Sequence, residues 1–290
     1  MKKVRTFIWI IAVVLALENC KKEQSTVVNT WSPNVDRLIN FENDTLTSSY
    51  ELIENNITYK FITKGTFYFN PIITTVNPYR GKKCIQYEIT GSAPLNGETN
   101  DKSQHRIFSG SDANALLFGS KKFFGFAMKL DANMPQPINT VQFFQIWQGT
   151  PMSPPLEMRL LPGGVGNIVN FDLWIRNNTT TANPSSGIRI YQGSMAKAQW
   201  GTFILMVNMH NTTDVQNGEI KLWINNAIVE DWVGRAGYSN GIVYAGVAQT
   251  PNANFDAFFG PYRPCQQVGV KMWFDQIKYA GTYNDADPSN

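Results

Sequence analysis

The chain has 290 residues, of which 16% are charged and 13% aromatic, and its formal net charge is +3. This length suffices for one large all-β domain or two small ones, and the many Gly, Pro, Asn and Thr residues favour strands and loops over helices. A charge this close to neutral excludes a nucleic-acid-binding domain, which would be strongly basic.

The first residues resemble an export signal. Three basic residues precede the apolar run Phe7–Leu17, which is too short to span a bilayer because a spanning helix needs roughly 20 residues. The run ends in Leu17-Glu18-Asn19-Cys20, which resembles the lipobox of bacterial lipoproteins. The resemblance implies cleavage after residue 19 and lipidation of Cys20. Lys21 is not the aspartate of inner-membrane retention, so we expect anchoring in the outer membrane or at the cell surface of a Gram-negative bacterium. The alternative is an ordinary signal peptide with an incidental cysteine.

After the signal, residues 20–34 are polar and lack periodicity, which predicts a tether. Residues 35–285 show about fourteen strand-like segments, no helical interleaving and no internal repeat. This pattern predicts one all-β domain, a two-sheet antiparallel sandwich of the jelly-roll type. The one predicted helix is Ser111–Leu117, and Asn217-Gly218 is the strongest hairpin signal.

Two cysteines remain after Cys20. Export to an oxidising compartment permits a disulfide between Cys84 and Cys265, and two buried thiols are the equal alternative.

The stretch Thr140–Gly149 (TVQFFQIWQG) alternates like a strand but carries three glutamines beside Trp147. Since a buried amide without a partner costs about 1–3 kcal/mol, these side chains are expected to line a polar cleft.

Period-2 alternation places arginines and aromatics together on the non-core faces of three further strands. An arginine fork suits a carboxylate or sulfate, and an aromatic face stacks on a sugar ring, so the pattern favours an anionic polysaccharide. The alternative is a solvated face whose arginines pair with acidic residues. The predicted substrate-binding residues of these strands are Arg159, Trp174, Arg176, Arg189 and Tyr191.

The chain has two histidines. His210 ends an apolar strand before a turn, which is typical of a structural residue, whereas His105 beside Arg106 is a candidate for chemistry. Motifs for phosphate loops, zinc proteases, paired zinc cysteines and serine hydrolases are absent, as is the two-carboxylate strand of sandwich glycosidases.

Several stretches together resemble polysaccharide lyases of the heparin lyase I-like and glucuronan lyase-like group. They are KKFFGFAMKL, VQFFQIWQGTPMSPPLEMRL, WGTFILMVNMHNTTDVQNGEIKLWIN, FFGPYRP and KMWFDQIKYAG, in matching order over most of residues 85–281. The resemblance implies a jelly roll that cleaves uronic-acid-containing polysaccharides by β-elimination. In that reaction a donor neutralises the uronate carboxylate, a base takes the C5 proton, and an acid protonates the leaving oxygen.

Carried over residue by residue, the match is partial. Tyr262 lies at the position of the catalytic tyrosine, but the lysine expected four residues earlier is Phe258. Gln145 matches the family glutamine, while Trp147 or Gln148 stands where the histidine belongs. Arg106 keeps the arginine of an R-x-E strand that has lost its acid.

Two hypotheses follow. In the first, Tyr262 serves as base and acid, Gln145 or Gln148 with Arg106 neutralises the carboxylate, and His105 assists. Trp147 and Arg263 would then contact substrate. In the second, the site has decayed and the cleft only binds glycan; a hydrolase or a structural role is the remaining alternative. The expected partner is an acidic polysaccharide and the expected state a monomer. No cofactor is required, and no compact acidic cluster indicates the structural calcium that some relatives carry.

Overall fold

Two eight-stranded antiparallel sheets enclose one large apolar core. The computed structural model describes residues 35–54, 56–64, 68–91, 100–177, 187–211, 213–266 and 268–290, all within one compact unit. The predicted lipidation site, Cys20, and the predicted tether lie outside these residues. No helix in the described ranges combines the length and apolarity needed to cross a membrane.

The described elements are almost all strands. They are β1 (Val35–Ile39), β2 (Thr45–Leu46), β3 (Leu52–Glu54), β4 (Ile57–Tyr59), β5 (Phe61–Lys64), β6 (Tyr68–Thr74), β7 (Cys84–Ile89), β8 (Asn100–Phe108), β9 (Leu116–Leu117), β10 (Lys121–Leu130), β11 (Val141–Trp147), β12 (Leu156–Leu161), β13 (Ile168–Ile175), β14 (Ile188–Ala196), β15 (Trp200–Asn208), β16 (Gly218–Ile224), β17 (Ala227–Gly234), β18 (Ile242–Tyr244), β19 (Val247–Gln249), β20 (Asn254–Pro264), β21 (Val270–Ala280) and the single helical turn α1 (Tyr283–Ala286).

Sheet I has the order β17-β16-β15-β10-β21-β7-β6, with β1 also paired to β21. Sheet II has the order β14-β13-β12-β11-β20-β8-β5, with β9 also paired to β20. Strands that are distant in sequence are neighbours in both sheets, and the pairings are antiparallel. The predicted all-β, two-sheet antiparallel jelly roll is confirmed.

Alternation along each strand builds the core between the sheets. On β10, Phe124, Phe126 and Met128 point inward and are almost fully buried, and Phe144 of β11 meets them from sheet II. The rings of Phe126 and Phe144 stack with centroids 5.6 Å apart. Each such ring contributes about 1.5–3 kcal/mol by leaving water, so the core fixes which face of sheet II remains for polar residues.

The predicted helix Ser111–Leu117 is wrong. The segment consists of turns followed by β9, because the Asp112 carboxylate accepts a hydrogen bond from the backbone N–H of Ser109 (2.8 Å) and stabilises a turn. The one helix in the described ranges is α1, whose N-cap Thr282 accepts from the N–H of Asp285.

The predicted hairpin forms, since β15 pairs antiparallel with β16, but Asn217-Gly218 is not its tight two-residue turn. β15 and β16 are joined by a longer connection, and Gly218 is needed for close packing, since a Cβ there would lie 2.3 Å from the Asn208 carbonyl oxygen. The tight hairpin turn lies one strand later, where Asn225 and Asn226 have φ of +49° and +66° between β16 and β17. Positive φ at both positions is the type I′ geometry that asparagine tolerates.

The predicted disulfide does not form. Cys84 begins β7 in sheet I, whereas Cys265 follows β20 in sheet II, and no bond joins them. Burial raises the pKa of the Cys84 thiol to about 12, so this side chain behaves as an unreactive core residue.

Candidate functional site

Polar side chains gather on the face of sheet II that points away from the core, hereafter the outer face. Three adjacent strands, β11, β20 and β8, form its centre. Their register aligns Gln142, Tyr262 and Lys102 in one row across the strands. The next row is formed by Gln145, Phe258 and Arg106. Two of the expected site residues, Gln145 and Arg106, are thus brought beside Tyr262.

Tyr262 is half-buried, and its hydroxyl makes no hydrogen bond to the described residues. Burial raises its pKa above the ordinary value, and the nearby Glu157 carboxylate raises it further. The side chain is therefore a neutral phenol at neutral pH, with its O–H available to a ligand.

Lys102 on β8 packs over the ring of Tyr262. Its Nζ lies 5.2 Å from the ring centroid of Tyr262 and 4.8 Å from that of Phe258. No described carboxylate lies within ion-pair distance of Nζ. Burial lowers the pKa of Lys102 to about 8, since removing water disfavours the charged amine.

Gln145 is held in a chain of amides. Its Nε2 donates to Oε1 of Gln104 (2.8 Å), and Nε2 of Gln104 donates to the carbonyl oxygen of Gly260 (2.8 Å). The two glutamines thus meet across β20, and their hydrogen bonds end on the backbone of that strand. The carbonyl can only accept, which fixes the orientation of both amides. Gln145 is only 2% exposed, and its Oε1 accepts no hydrogen bond from the described residues.

Arg106 reaches the outer face beside Trp147. An Nη1 of Arg106 lies 3.8 Å from Oδ2 of Asp256, a loose ion pair, and the arginine side chain is 24% exposed. The indole of Trp147 donates to the carbonyl oxygen of Met152 (2.7 Å), and its ring lies 6.2 Å from that of Phe258. Here the outer face opens into a cavity of about 400 Å³ lined by residues 109–111, 252–254 and 256. A ligand carboxylate could therefore compete with Asp256 for the guanidinium.

A second group of charges occupies strands β12 to β14 of the same face. Arg159 binds both carboxylate oxygens of Asp172 (2.9 and 2.7 Å), and Arg189 donates to one of them (3.1 Å). The Arg159 guanidinium also lies 4.2 Å from the centroid of Trp174. Alternation thus predicted the face of Arg159, Trp174 and Arg189 correctly, and both arginines pair with an acidic residue, which is the alternative that the sequence left open.

Glu157 links this group to the tyrosine. It forms a buried ion pair with Arg176 and accepts a hydrogen bond from Nε2 of Gln142 (2.7 Å), the residue that faces Tyr262. Nη1 of Arg176 also donates to the carbonyl oxygen of Pro154 (2.6 Å). The expected substrate contact through Arg176 is wrong, because its guanidinium is buried and bound within the protein.

His105 is not part of the outer face, and its predicted catalytic role is wrong. It is 0% exposed and stacks on Phe259 inside the core. Its Nε2 faces the carbonyl oxygen of Tyr50 (2.9 Å) and must carry the proton, while Nδ1 accepts from the Tyr87 hydroxyl (2.5 Å). Burial lowers the pKa of this imidazole to about 4, so both nitrogens serve a neutral structural residue.

Three further expectations are corrected. The amide of Gln148 is fully hydrogen-bonded to the backbone. Its Nε2 donates to the carbonyl oxygens of Tyr238 and Asn252, and its Oε1 accepts from the N–H of Tyr238. Arg263 is buried and donates to the carbonyl oxygens of residues 90 and 268.

Tyr191 turns inward against Phe171, because a register shift on β14 breaks the alternation that placed it outside.

Sequence reasoning missed Lys102, Gln104 and Glu157. A signal for the first two was present, since both share a face with Arg106 at period-2 spacing. Nothing in the sequence indicated the ion pair of Glu157 with Arg176. Within the described ranges, no group of three or more His, Cys, Asp or Glu side chains is arranged to hold a metal ion.

Comparison with solved structures finds the same architecture elsewhere. The endo-β-1,4-glucuronan lyase of the fungus Trichoderma reesei matches with a TM-score of 0.55 and 13% identity, over 88% of this chain and 99% of that one. The alginate lyase AlgAT5 of polysaccharide lyase family 7 matches with a TM-score of 0.45 and 10% identity, over 82% and 92% of the two chains. The alginate lyase Aly36B matches with a TM-score of 0.44 and 12% identity, over 69% and 81%. At 13% identity the match to the glucuronan lyase shows the fold alone. No curated protein matches the sequence.

The family comparison is more direct. The model described as "Polysaccharide lyase" matches residues 72–278, more than two-thirds of the chain, and this range contains every strand of the centre described above. The chain therefore belongs to the polysaccharide lyase family.

Proposed function

We propose that this protein cleaves a uronic-acid-containing polysaccharide by β-elimination. The observation that carries the proposal is the Tyr262 hydroxyl, which has no partner among the described residues and lies on a polar outer face beside Lys102 and Arg106. A neutral phenol is the proton donor that the leaving glycosidic oxygen needs. Family membership and the glucuronan lyase fold support this reaction class.

The remaining roles follow from charge and access. Arg106 lies in the row next to Tyr262, and its ion pair with Asp256 is long. Its guanidinium is therefore free enough to neutralise the substrate carboxylate and to stabilise the charge that develops there. Gln145 is too buried to replace it and instead, with Gln104, supports the floor beneath the substrate. The groups on β12 to β14, Trp174 and Arg189 above all, would bind neighbouring sugar units.

The test is the ultraviolet absorbance of the unsaturated uronate product, measured over a panel of uronic-acid polymers. Tyr262→Phe is expected to reduce the rate by about 100-fold or more, since general acid catalysis contributes 10²–10⁴-fold, while substrate binding persists. The matched control is Tyr283→Phe, a tyrosine of α1 that packs on Trp223 of sheet I. An unchanged rate in Tyr262→Phe would contradict the assignment.

A second candidate function is glycan binding without cleavage. It is favoured by the absence of a histidine from the described part of the outer face, since the resemblance puts Trp147 or Gln148 at the histidine position, and by the pairing of Arg159 and Arg189 with Asp172. In that case a polymer would bind with no unsaturated product, and substitution of Tyr262 would change affinity alone.

We further propose that the protein is exported and lipid-anchored through Cys20. The support is the basic start, the apolar run and the L-x-x-C ending of the first 20 residues. Mass spectrometry of the mature N-terminus in the native bacterium is the test: acyl chains are expected on Cys20, and a Cys20→Ser variant should be released from the membrane fraction.

A further inference from the structure

β-Elimination requires a base for the C5 proton, and the outer face offers few candidates. This inference rests on the proposed function. Arginine and amide side chains do not accept protons at neutral pH. His105 lies in the core, and Glu157 is buried in its pair with Arg176. Tyr262 is kept protonated by burial and by Glu157, which suits an acid and opposes use as the base.

Asp256 is paired with Arg106 and accepts a hydrogen bond from the N–H of Gly110 (2.6 Å), so Lys102 is the stronger candidate. Lys102 on β8 is paired with Tyr262 on β20 in the strand register. Its Nζ lies over the rings of both Tyr262 and Phe258. An ion-paired lysine would be locked in its charged form, but no described carboxylate comes within ion-pair distance of Nζ. The rings of Tyr262 and Phe258 exclude water from the amine, which favours its neutral form.

The charges around Lys102 act in opposing directions. Burial disfavours the ammonium most strongly, Asp256 on β20 favours it, and Lys64 on the neighbouring β5 disfavours it, which together lower the pKa to about 8. Arg106, on the same face of β8, adds positive charge, and Glu157 lies beyond Tyr262. At pH 7 about one molecule in ten then carries a neutral amine, against fewer than about one in a thousand for an ordinary lysine.

We propose that Lys102 is the catalytic base of this site and acts with Tyr262 as the acid. The neutral Nζ takes the C5 proton, and the electrons of the C5–H bond form the C4–C5 double bond. The C4–O bond breaks, and its electron pair takes the proton of the Tyr262 hydroxyl. The lysine ammonium then loses its proton to water and the phenolate regains one, so that the site returns to its starting state without any oxidant or metal.

The experiment compares Lys102→Arg with wild type in rate, KM and pH profile. Arginine keeps the positive charge but cannot act as a base, so kcat is expected to fall about 100-fold or more with KM within a few-fold. The matched control is Lys64→Arg, which should retain wild-type kcat. Wild-type kcat/KM is expected to rise with pH to a plateau above about pH 8.

A second variant guards against misfolding. Lys102→Cys should be inactive and should regain activity when the thiol is aminoethylated, with its pH profile moved to lower pH, because the resulting amine is less basic. If wild type releases unsaturated product and Lys102→Arg does so at a comparable rate, the lysine serves only as a cation and this inference is overturned. If wild type releases none from any polymer, the proposed function itself fails.

Discussion

Replacing His105 with glutamine tests whether this histidine is structural, as its burial indicates, or takes part in chemistry. The imidazole is buried with its pKa lowered to about 4, whereas in the unfolded chain it should titrate near 6.5. As pH falls, the imidazole is therefore protonated in the unfolded chain before it is protonated in the folded protein. The stability contributed by the neutral ring is lost between about pH 6.5 and pH 4. A difference of about 2.5 pKa units corresponds to about 3 kcal/mol.

The assay is urea unfolding of wild type and His105→Gln followed by tryptophan fluorescence near pH 7 and near pH 4.5. The variant is expected to be less stable near pH 7, because it loses the stacking on Phe259 and the hydrogen bonds to Tyr50 and Tyr87. Lowering the pH should reduce the difference in free energy of unfolding between wild type and variant by about 2.5 kcal/mol, since only wild type contains the titrating ring. Buried carboxyls titrate in both proteins, so they cancel in the difference.

Two outcomes would refute this reasoning. A stability difference between wild type and variant that stays constant with pH would mean that the imidazole of His105 is already protonated or exposed in the folded protein. Loss of lyase activity in a variant that remains folded would restore His105 as a candidate for the chemistry. We expect activity to survive, because the imidazole points away from the Tyr262 row.

Three further predictions follow from the geometry. Gly260→Ala should destabilise the fold by about 2 kcal/mol or more, because φ is +106° there and a Cβ would meet the backbone of β8; an unchanged urea midpoint would contradict this. Glu157→Gln should cost about 3–5 kcal/mol by leaving the Arg176 charge buried, and Arg176→Met added to it should recover part of the loss in the same unfolding assay. Without reductant, both Cys84 and Cys265 should react with a thiol reagent after unfolding, but Cys84 should be protected in the native state; a failure of either to react on unfolding would indicate a disulfide.

The sequence was sufficient for the architecture because alternation is a local property. Each strand of sheet II shows its inward residues, such as Phe171 and Leu173, within a few positions, and the absence of helical periodicity excludes most other folds. Turn assignment was less secure: Asn217-Gly218 has the right residue types, but the backbone approach of β15 determines the use of that glycine.

The site was harder to predict because its contacts join distant positions. Nothing local to Arg159 reveals that the register of β12 and β13 places Asp172 directly opposite it, and nothing local to His105 shows that the register turns it inward while Arg106 faces out. Lys102 escaped notice because its importance comes from the desolvation imposed by Phe258 and Tyr262, which are about 160 residues away in sequence.

The amide chain that ends on the Gly260 carbonyl has a consequence for how this site can change over time. Because Gln145 donates to Gln104 and Gln104 donates to the carbonyl oxygen of Gly260, the two side chains form one unit shared by β8 and β11. Substitutions at the two glutamines should therefore be non-additive in their effects, with coupling of about 0.5–3 kcal/mol between residues in direct contact. A lineage that loses either amide removes the constraint on the other, so the two glutamine positions should drift or persist together.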